Sequence, residues 1–495
     1  MEKNIQILSK KCQNKKVIFY CISDIFDEIS SKFNLDELFD IDSLCDIRFK
    51  NEQYKNYTSI TPDKLKERIF DYLIIISPNF SPKEKFLKEN NLINKKTKIL
   101  NFFQRKIKID TQKNYKNIIK KLKSKEKIKV LFCCEQNEKW SYTKLYQTLK
   151  NNSRFEVLPV VLFPITSKGQ VIFTQNENKI FFEKLGIETL DGWDYENNKI
   201  LNIQSLNPDI VFYQQPWYLN NINHPKNVSN YALTIMAPYG YTTLSPKEWG
   251  SDGVKEIYRD LWLFLAESPY HVKFYKKAAK MKNNLAPFGS LKFDNYKESS
   301  IQNSAKPKII YAPHHTISTD GLRMSTFQNN YKDFLNFAKE NQQFDFVFKP
   351  HPMLINTVVE YGLMTNEEYQ NYLNEWKNLP NSEVCLDGDY FKIFKTSNLM
   401  ITDCSSFLAE YFPTKNPIIF LNRLDRAPFD DFGNKIKKGF YFANDFKDVE
   451  NHIKNLFEAK NDPLAKTREK ILNKHFYLDG KLTCNKVVEF LIKHL

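Results

Sequence analysis

Two short polar stretches in the C-terminal half of the chain place histidines directly after apolar runs. The first, "YAPHHTIS", carries His314 and His315, and the second, "FVFKPHPML", carries Lys349 and His351. Imidazole titrates near neutral pH, so it can accept a proton, deliver one or bind a phosphate group. The prolines beside His351 restrict the backbone and hold its ring near the lysine, which suits charge developing on a phosphate. We predict catalytic roles for the three histidines and phosphate binding for Lys349; the alternative is a structural role at the strand ends.

A third polar stretch, "NLMITDCSSFLAEYF", has two adjacent serines where a helix should follow a strand. Free backbone N–H groups and the positive end of the helix dipole bind phosphate at such a position. Ser405 and Ser406 add two hydroxyl donors, and Glu410 follows within two helical turns, where it can accept from ribose hydroxyls. With Lys349, the predicted residues for binding a phosphate-bearing donor substrate are Thr402, Asp403, Ser405, Ser406 and Glu410. Plain N-capping by Ser and Asp is the alternative.

No sequence pattern calls for a bound cofactor or metal. The chain lacks the GxGxxG of dinucleotide sites and the GxxxxGK[ST] of the P-loop. It also lacks a carboxylate cluster or a His/Cys set that would demand a protein-bound metal. We therefore expect no cofactor and no metal. The phosphate groups would belong to a nucleotide-activated donor, which fixed N–H donors and positive charge can stabilise.

The 495-residue chain carries a net charge of +15 and is 42% hydrophobic, which is typical of a globular protein of two or three domains. The charge favours anionic partners such as nucleotides and acidic lipid headgroups, and no nucleic-acid-binding motif is present. The eight cysteines form no CxxC pair, so we expect a reduced, cytoplasmic protein. The N-terminus is too polar for a signal peptide and the apolar runs are too short to span a bilayer, so we expect any membrane contact to be peripheral, on the inner face of the cytoplasmic membrane.

Short apolar runs alternate with helical stretches along the chain, which predicts an α/β fold with parallel sheets. We place a small Rossmann-like domain of unknown role at 1–125 and two larger α/β domains at 126–295 and 296–495. Ligands of open parallel sheets bind beyond the carboxyl ends of the strands. The three polar stretches follow strands of the third domain, so we expect them to line a cleft between the second and third domains.

In their order and spacing, these motifs resemble the CDP-glycerol glycerophosphotransferase family of teichoic-acid and capsule polymerases. "YAP", "KPHP" and "ITDCSS" are similar to the donor-domain motifs of that family, and "APFGSLKFD" and "YLDGKLTCNKVVEFL" to its linker and closing helix. The resemblance covers roughly 128–495. It implies a GT-B fold, in which two Rossmann-like domains face each other across a cleft, and a CDP-linked donor. It also implies that Ser405, Ser406 and His351 hold the donor diphosphate, and that Glu410 holds its ribose.

Two departures from the family pattern affect the expected catalytic base. The family usually carries "HG" in its acceptor domain, and that histidine is the favoured base, whereas this chain has "APYGY" with Tyr239 and Gly240. A tyrosine with an ordinary pKa near 10 is a poor base at neutral pH. The chain also has "YAPHHT" where the family has "YAPTWR". We therefore expect Tyr239 and Gly240 to contact the acceptor, and His314 or His315 to act as the base or as a phosphate ligand.

The resemblance implies a transferase that moves a phosphopolyol, such as glycerol phosphate, from a CDP-activated donor to a cell-surface glycan or polymer of the capsule or teichoic-acid type. A histidine would deprotonate the acceptor hydroxyl, which would attack the β-phosphorus and release CMP. The first alternative is a GT-B glycosyltransferase that uses a nucleotide sugar in capsule or lipopolysaccharide synthesis, because its phosphate cradle would look the same. The second is a non-catalytic scaffold of a capsule assembly complex. The expected partners are the donor, a lipid-linked or polymeric acceptor and an anionic membrane surface, but no nucleic acid.

Overall fold

In the computed structural model, the chain divides into two compact units, Met1–Ile109 and Asp110–Leu495. The structure describes residues 2–22, 24–49, 53–77, 80–94, 96–103, 110–167, 170–217, 219, 222–245, 252–296, 305–318, 321–386, 390–476 and 478–495. Within these residues, the first unit is built on one mainly parallel sheet and the second unit on two parallel sheets.

The first unit is a doubly wound α/β domain. Its helices are α1 (Glu2–Lys11), α2 (Asp24–Lys32), α3 (Leu35–Leu38) and α4 (Phe80–Glu89). Its strands are β1 (Lys16–Tyr20), β2 (Asp40–Cys45), β3 (Gln53–Tyr54), β4 (Tyr57–Ile60), β5 (Tyr72–Ile75) and β6 (Lys98–Asn101). The strand order is β3-β4-β2-β1-β5-β6, and only β3 pairs antiparallel. A cavity of about 440 Å³ lies at the carboxyl ends of β1, β2 and β5, where ligands of such sheets bind.

The second unit begins with an eight-stranded parallel sheet. Its helices are α5 (Thr111–Leu122), α6 (Thr143–Lys150), α7 (Gln175–Lys184), α8 (Pro225–Val228), α9 (Asp252–Asp260) and α10 (Pro269–Ala278). The strands are β7 (Ile128–Cys134), β8 (Phe155–Val157), β9 (Val160–Leu162), β10 (Ile165–Ser167), β11 (Gln170–Ile172), β12 (Thr189–Asp191), β13 (Trp193–Asp194), β14 (Lys199–Ile200), β15 (Ile210–Tyr213), β16 (Leu233–Met236), β17 (Leu263–Ala266) and β18 (Leu285–Pro287). The sheet order is β12-β9-β7-β15-β16-β17-β18, with β8 also paired to β7. The pairs β10/β11 and β13/β14 form separate antiparallel ribbons.

A six-stranded parallel sheet follows in the same unit. Its strands are β19 (Lys308–Ala312), β20 (Asp345–Phe348), β21 (Ser382–Val384), β22 (Leu399–Thr402), β23 (Ile418–Leu421) and β24 (Tyr441–Ala443). The helices are α11 (Phe327–Glu340), α12 (Leu354–Glu360), α13 (Asn366–Asn378), α14 (Phe391–Thr396), α15 (Ser405–Glu410), α16 (Asp431–Ile436), α17 (Phe446–Ile453), α18 (Ala465–His475) and α19 (Thr483–His494). The strand order is β21-β20-β19-β22-β23-β24.

The strand sequences explain why both sheets are covered by helices on each face. Strand β7 reads "IKVLFCC" and is buried along its length apart from Lys129, while β22 and β23 are buried throughout. Continuous apolar runs of this kind need helices on both sides of the sheet. Because the strands are parallel, the turns that follow β19, β20 and β22 meet at one edge. The predicted α/β class with parallel sheets is confirmed.

Two helices pack with the eight-stranded sheet in a way that the sequence did not indicate. Helix α5 lies before the predicted boundary at residue 125, yet its Tyr115 hydroxyl lies 2.6 Å from Thr234 Oγ1 in the second unit. The first unit therefore ends earlier than predicted. At the other end of the chain, α19 packs Val487 and Leu491 into the same core as β7. The last helix thus returns to the first sheet of the second unit, and the predicted division at 295/296 does not account for it.

The two sheets of the second unit are joined by a close main-chain contact. The Thr243 carbonyl, after β16, accepts from Asp430 N at 2.9 Å, just before α16. Gly433 of α16 packs against the same carbonyl, and a Cβ at this glycine would also lie 2.9 Å from Phe429 Cδ1. Backbone atoms cannot move aside as a flexible side chain can, so the contact leaves no room for a methyl group.

We expect Gly433→Ala to destabilise the second unit by about 1–3 kcal/mol, because the added methyl group overpacks a contact made by backbone. Urea unfolding would measure the loss. Lys438→Ala, at an exposed position shortly after α16, is the control and should change the free energy of unfolding by less than about 0.5 kcal/mol. A Gly433→Ala protein as stable as the wild type would contradict the close approach of the two sheets.

Candidate functional site

Three histidines meet at the carboxyl end of the six-stranded sheet. His314 and His315 follow β19, and His351 follows the neighbouring strand β20. The ring centroids are 4.4 Å apart for His314 and His315, 5.1 Å for His314 and His351, and 4.1 Å for His315 and His351. Main chain anchors the second turn to the first, since His351 N donates to the Pro313 carbonyl at 3.1 Å. The two polar stretches therefore build one histidine cluster, formed by His314, His315 and His351.

Main-chain N–H groups fix the tautomers of two of these rings. Thr316 N donates to His314 Nδ1 at 3.2 Å, and Met353 N donates to His351 Nδ1 at 3.1 Å. An amide nitrogen only donates, so both Nδ1 atoms lack a hydrogen and, in the neutral ring, each Nε2 carries it. His314 and His351 therefore offer N–H donors at Nε2, which suits a phosphate oxygen.

The histidine cluster also has the composition of a metal site. One nitrogen from each ring lies within 4.8 Å of the other two, and imidazole is a common zinc ligand. Metal bound at Nε2 requires the hydrogen on Nδ1, where His314 and His351 instead accept main-chain N–H groups. His315 Nδ1 is buried and has no hydrogen-bond partner among the described residues. These contacts favour hydrogen-bond donation to an anion over metal ligation.

Burial keeps the histidine cluster neutral at neutral pH. Loss of hydration lowers the pKa of His315 to about 4. It lowers the pKa of His351 to about 3, with further contributions from the neighbouring imidazole and from the charges of Lys349 and Lys139. The pKa of His314, which is buried, also lies well below its usual value, for the same reason. The three rings therefore act as neutral groups until an anion binds beside them.

We expect the histidine cluster to make stability fall in acid. Unfolded histidine titrates near pH 6.5 and the folded rings well below it, so the unfolded protein takes up protons first as the pH falls. The free energy of unfolding is unaffected by these rings above about pH 6.5. Below that pH, each ring lowers it by up to about 1.4 kcal/mol per pH unit until the pH reaches the pKa of the folded ring. Replacing His315 and His351 together by Gln should flatten the slope of unfolding free energy between about pH 6 and pH 4.5.

Urea unfolding at several pH values would test this prediction, with the wild type measured in parallel. Buried carboxyl groups such as Glu135, whose pKa burial raises to about 8, bind protons on folding and act with the opposite sign. The wild type and the double variant share these carboxyl groups, so their contribution to the pH dependence of the unfolding free energy cancels when the two proteins are compared. Equal slopes for the wild type and the double variant would show that the rings are already protonated in the folded state.

A cavity of about 280 Å³ lies between the two sheets of the second unit. Its walls include Tyr239 and Gly240, from the loop after β16, and Ser405 and Ser406, from the start of α15. A Cβ at Gly240 would lie 2.9 Å from Glu410 Oε1, so this loop approaches α15 closely. The residues predicted to contact the acceptor therefore face the serines predicted to bind the donor.

Thr402 and Asp403 lie behind this cavity and are fully buried. Thr402 Oγ1 donates to the Ala312 carbonyl at 2.6 Å. The Asp403 carboxylate accepts main-chain N–H groups from His314 at 2.5 Å and Thr326 at 2.6 Å, and burial raises its pKa to about 6. The direct donor contact predicted for both residues does not fit this burial. Asp403 instead fixes the turn that carries His314.

Glu410 is held in a buried ion pair. Its Oε1 lies 3.2 Å from Nζ of Lys292, and its Oε2 accepts from the Tyr390 hydroxyl. Lys292 lies in the 3₁₀-helix Leu291–Tyr296, which precedes the six-stranded sheet. The ribose contact predicted for Glu410 would require this pair to open, so the structure indicates a role in positioning α15. Lys349 is buried too, with Nζ 5.3 Å from the Tyr390 ring centroid.

A comparison with protein families decides the class of the chain. The family described as CDP-Glycerol:Poly(glycerophosphate) glycerophosphotransferase matches residues 238–493, more than half of the chain. The chain belongs to this family. The match contains the six-stranded sheet, the histidine cluster, and Tyr239, Gly240, Ser405 and Ser406 of the cavity. The resemblance inferred from the motifs is thereby confirmed. The protein is a transferase of the glycerophosphotransferase type that uses a CDP-glycerol donor.

Solved structures with similarity to this chain include a protein described as an epimerase and a teichoic acid polymerase. A Listeria monocytogenes protein described as a UDP-N-acetylglucosamine 2-epimerase is 12% identical, with a TM-score of 0.50 over 74% of this chain and 96% of its own. The wall teichoic acid polymerase TagF, soaked with CDPG, is 12% identical, with a TM-score of 0.46 over 79% of this chain and 98% of its own. The likeness to the Listeria monocytogenes protein shows the fold alone, which is the predicted GT-B fold. No curated protein matches the chain by sequence.

The eight-stranded sheet of this glycerophosphotransferase adds residues that were not among the predicted site residues. Glu135 and Lys139 come after β7, and Gln215 and Trp217 come after β15. Lys139 Nζ donates to Gln215 Oε1 at 2.7 Å and lies 5.4 Å from the Tyr239 ring centroid. A signal was present, because "CCEQNEK" and "YQQPW" are polar runs directly after apolar strands. Lysine and glutamine are common on surfaces, however, so their type alone did not mark them.

Proposed function

We propose that this glycerophosphotransferase moves glycerol phosphate from CDP-glycerol to a hydroxyl group of a polymeric cell-surface acceptor. The observation that carries the proposal is the neutral histidine cluster at the same sheet edge as Ser405 and Ser406. Because β19, β20 and β22 are adjacent parallel strands, their three following turns can contact one diphosphate group. Family membership supplies the donor class, and the cavity between the sheets supplies a place for the acceptor.

On this proposal, the donor diphosphate binds to neutral hydrogen-bond donors and one buried cation. His314 and His351 donate from Nε2, the serine hydroxyls add further donors, and Lys349 contributes positive charge close to His351. Such groups are fixed before the substrate arrives, so they stabilise developing charge with little reorganisation. Asp403 and Glu410 act indirectly, by holding the turn and the helix that carry these donors.

The reaction that fits this arrangement is attack by the acceptor oxygen on the β-phosphorus of CDP-glycerol. The acceptor O–H bond breaks and its proton passes to a base. A new O–P bond forms while the bond from the β-phosphorus to the bridging oxygen of CMP breaks, and CMP leaves with that electron pair. Glycerol phosphate remains on the acceptor as a phosphodiester. Holding both reactants in one cleft makes this step effectively unimolecular.

The acceptor is proposed to be a lipid-linked or polymeric chain of the teichoic-acid or capsule type. The cavity wall on the side of the eight-stranded sheet includes the aromatic side chains Trp217, Tyr239 and Tyr258, and these suit a polyol or sugar unit. No described helix is long and apolar enough to cross a bilayer. The net charge of +15 would favour peripheral contact with an anionic membrane that carries such an acceptor.

The test is transfer of labelled glycerol phosphate to a defined acceptor. Purified protein would be incubated with CDP-glycerol labelled in its glycerol phosphate and with a short glycerol-phosphate primer on a lipid anchor. The proposal predicts that label enters the primer and that an equal amount of CMP appears. Release of free glycerol phosphate at the same rate with and without primer would contradict the proposed acceptor chemistry.

A further inference from the structure

Lys139 is a partly buried lysine that follows the eight-stranded sheet and lies close to a residue of the cavity wall. It ends the 3₁₀-helix Asn137–Lys139, directly after β7. Its Nζ lies 5.4 Å from the centroid of the Tyr239 ring, which lines the cavity. Its charge also lowers the pKa of His351, so the amine of one sheet and the imidazole of the other are close across the cleft.

Two glutamine carbonyl oxygens hold the amine of Lys139. Nζ donates to Gln215 Oε1 at 2.7 Å and to Gln136 Oε1. A neutral amine has two N–H donors and one lone pair, so these two acceptors use both hydrogens and leave the lone pair for a third partner. An ammonium group would instead have one further hydrogen to place. The geometry is therefore suited to an amine that gains and loses a proton.

The residues that hold Lys139 in place are themselves fixed by burial and hydrogen bonds. Gln215 is fully buried. The neighbouring Gln214 accepts from the main-chain N–H groups of Glu135 at 3.0 Å and Gln136 at 3.1 Å, which fixes the turn after β7. Lys139 therefore cannot swing freely, and its Nζ is held beside Tyr239 of the cavity wall, fixed in the way that a catalytic group requires.

The surroundings of Lys139 bring its pKa close to physiological pH. Burial lowers the pKa of Lys139 to about 8, although the negative charges of Glu135 and Glu138 oppose the shift. The Tyr239 ring lies beside Lys139, and the charge of Lys139 interacts with His351. Burial also raises the pKa of Glu135 to about 8, so near neutral pH this carboxyl group is largely protonated and its charge opposes the shift of Lys139 only weakly. Bases whose pKa lies near the working pH transfer protons best.

We propose that Lys139 is the general base that takes the proton from the acceptor hydroxyl. This assignment rests on the proposed glycerophosphate transfer and names its proton acceptor. The hydroxyl proton moves to the lone pair of Nζ, the acceptor oxygen bonds to the β-phosphorus, and CMP leaves with the electrons of the broken P–O bond. The resulting ammonium group then lies beside the new phosphodiester and returns its proton to solvent.

The tautomers of the histidine cluster support a role for Lys139 as the base and for the histidines as hydrogen-bond donors. His314 and His351 carry hydrogen on Nε2, because main-chain N–H groups occupy both Nδ1 atoms. A nitrogen that already bears hydrogen cannot accept the proton of the acceptor. His315 is the remaining imidazole of the cluster and is the rival base that the sequence suggested. The two assignments differ in which variant loses proton transfer.

The test compares Lys139→Ala, Lys139→Arg and the exposed control Lys150→Ala in CMP release from CDP-glycerol with acceptor. Arginine keeps the positive charge but stays protonated, so it cannot act as a base. We expect both Lys139 variants to lose about 10²–10⁴-fold in kcat, with the KM for CDP-glycerol changed only a few-fold. Added methylamine should partly restore Lys139→Ala, and Lys150→Ala should match the wild type.

Each contrary outcome overturns a different statement. An active Lys139→Arg protein would make the lysine a charge for binding and not a base, and an active Lys139→Ala protein would leave His315 as the base. A wild-type protein that forms no CMP would overturn the proposed function itself. If the variants do not fold, competitive acetylation of the wild type against pH still decides: Lys139 should react with a midpoint near pH 8, well below the value of about 10.4 for lysine in a model peptide. An ordinary midpoint for Lys139 would exclude the assignment.

Discussion

His351→Ala should lose about 10²–10³-fold in CMP release while its fold and its unfolding midpoint at pH 7.5 stay close to those of the wild type. The ring presents Nε2–H because Met353 N holds Nδ1, and deletion of one preorganised donor to developing charge typically costs this much. The substitution removes a neutral, partly exposed side chain, so little stability is at stake. Initial rates of CMP formation at saturating acceptor would measure the loss.

His494→Ala is the matched control, since His494 is an exposed histidine in α19, packed on Phe490. It should leave the rate of CMP release unchanged. His351→Asn is informative as well, because its amide can still donate one hydrogen bond and should retain more activity than alanine. Full activity in His351→Ala would remove the histidine cluster from the donor site.

Lys292→Met should destabilise the second unit by about 3–5 kcal/mol, the largest stability effect that we expect. The change leaves the Glu410 carboxylate buried without its cation, and the cost of an uncompensated buried charge is of this size. The Lys292 and Glu410 side chains are only 5% and 2% exposed, so solvent cannot replace the lost partner. Chemical denaturation of the purified variant would give the difference in unfolding free energy.

Two further variants separate the ion pair from simple loss of packing. Lys292→Met combined with Glu410→Gln removes both charges and should recover a large part of the stability, because no unpaired charge remains. Lys339→Met breaks the exposed pair with Glu375 and should cost less than about 1 kcal/mol. If Lys292→Met were as mild as Lys339→Met, the buried pair would not hold α15, and Glu410 would be free for the predicted contact with ribose.

The polar turns at the carboxyl edge of the six-stranded sheet were predictable, because each turn is determined by the local sequence. An apolar strand followed by a short polar turn marks the carboxyl end of a parallel strand. That rule located the turns that carry His314, His351 and Ser405 before their relative positions were known. Their convergence needed only that the strands be neighbours and parallel, which the α/β pattern implies. The parallel class of the fold followed from the same alternation.

Other features depend on contacts between residues far apart in the chain, which a sequence pattern does not encode. Asp403 and Glu410 looked like site carboxylates, but their partners, the main chain at Thr326 and the side chain of Lys292, lie on distant segments. Helix α19 belongs to the core of the eight-stranded sheet although it closes the chain. The pKa of Lys139 is lowered only because the folded chain buries this residue beside the eight-stranded sheet.

The identity of the released nucleotide distinguishes glycerol phosphate transfer from sugar transfer. Purified protein with the lipid-linked primer would receive CDP-glycerol, UDP- and GDP-sugars in separate reactions, with His351→Ala run beside the wild type. We expect the wild type to release CMP from CDP-glycerol only when primer is present, and the variant to lose this activity. UDP or GDP released from a sugar, with no CMP from CDP-glycerol, would contradict the proposed glycerol phosphate transfer.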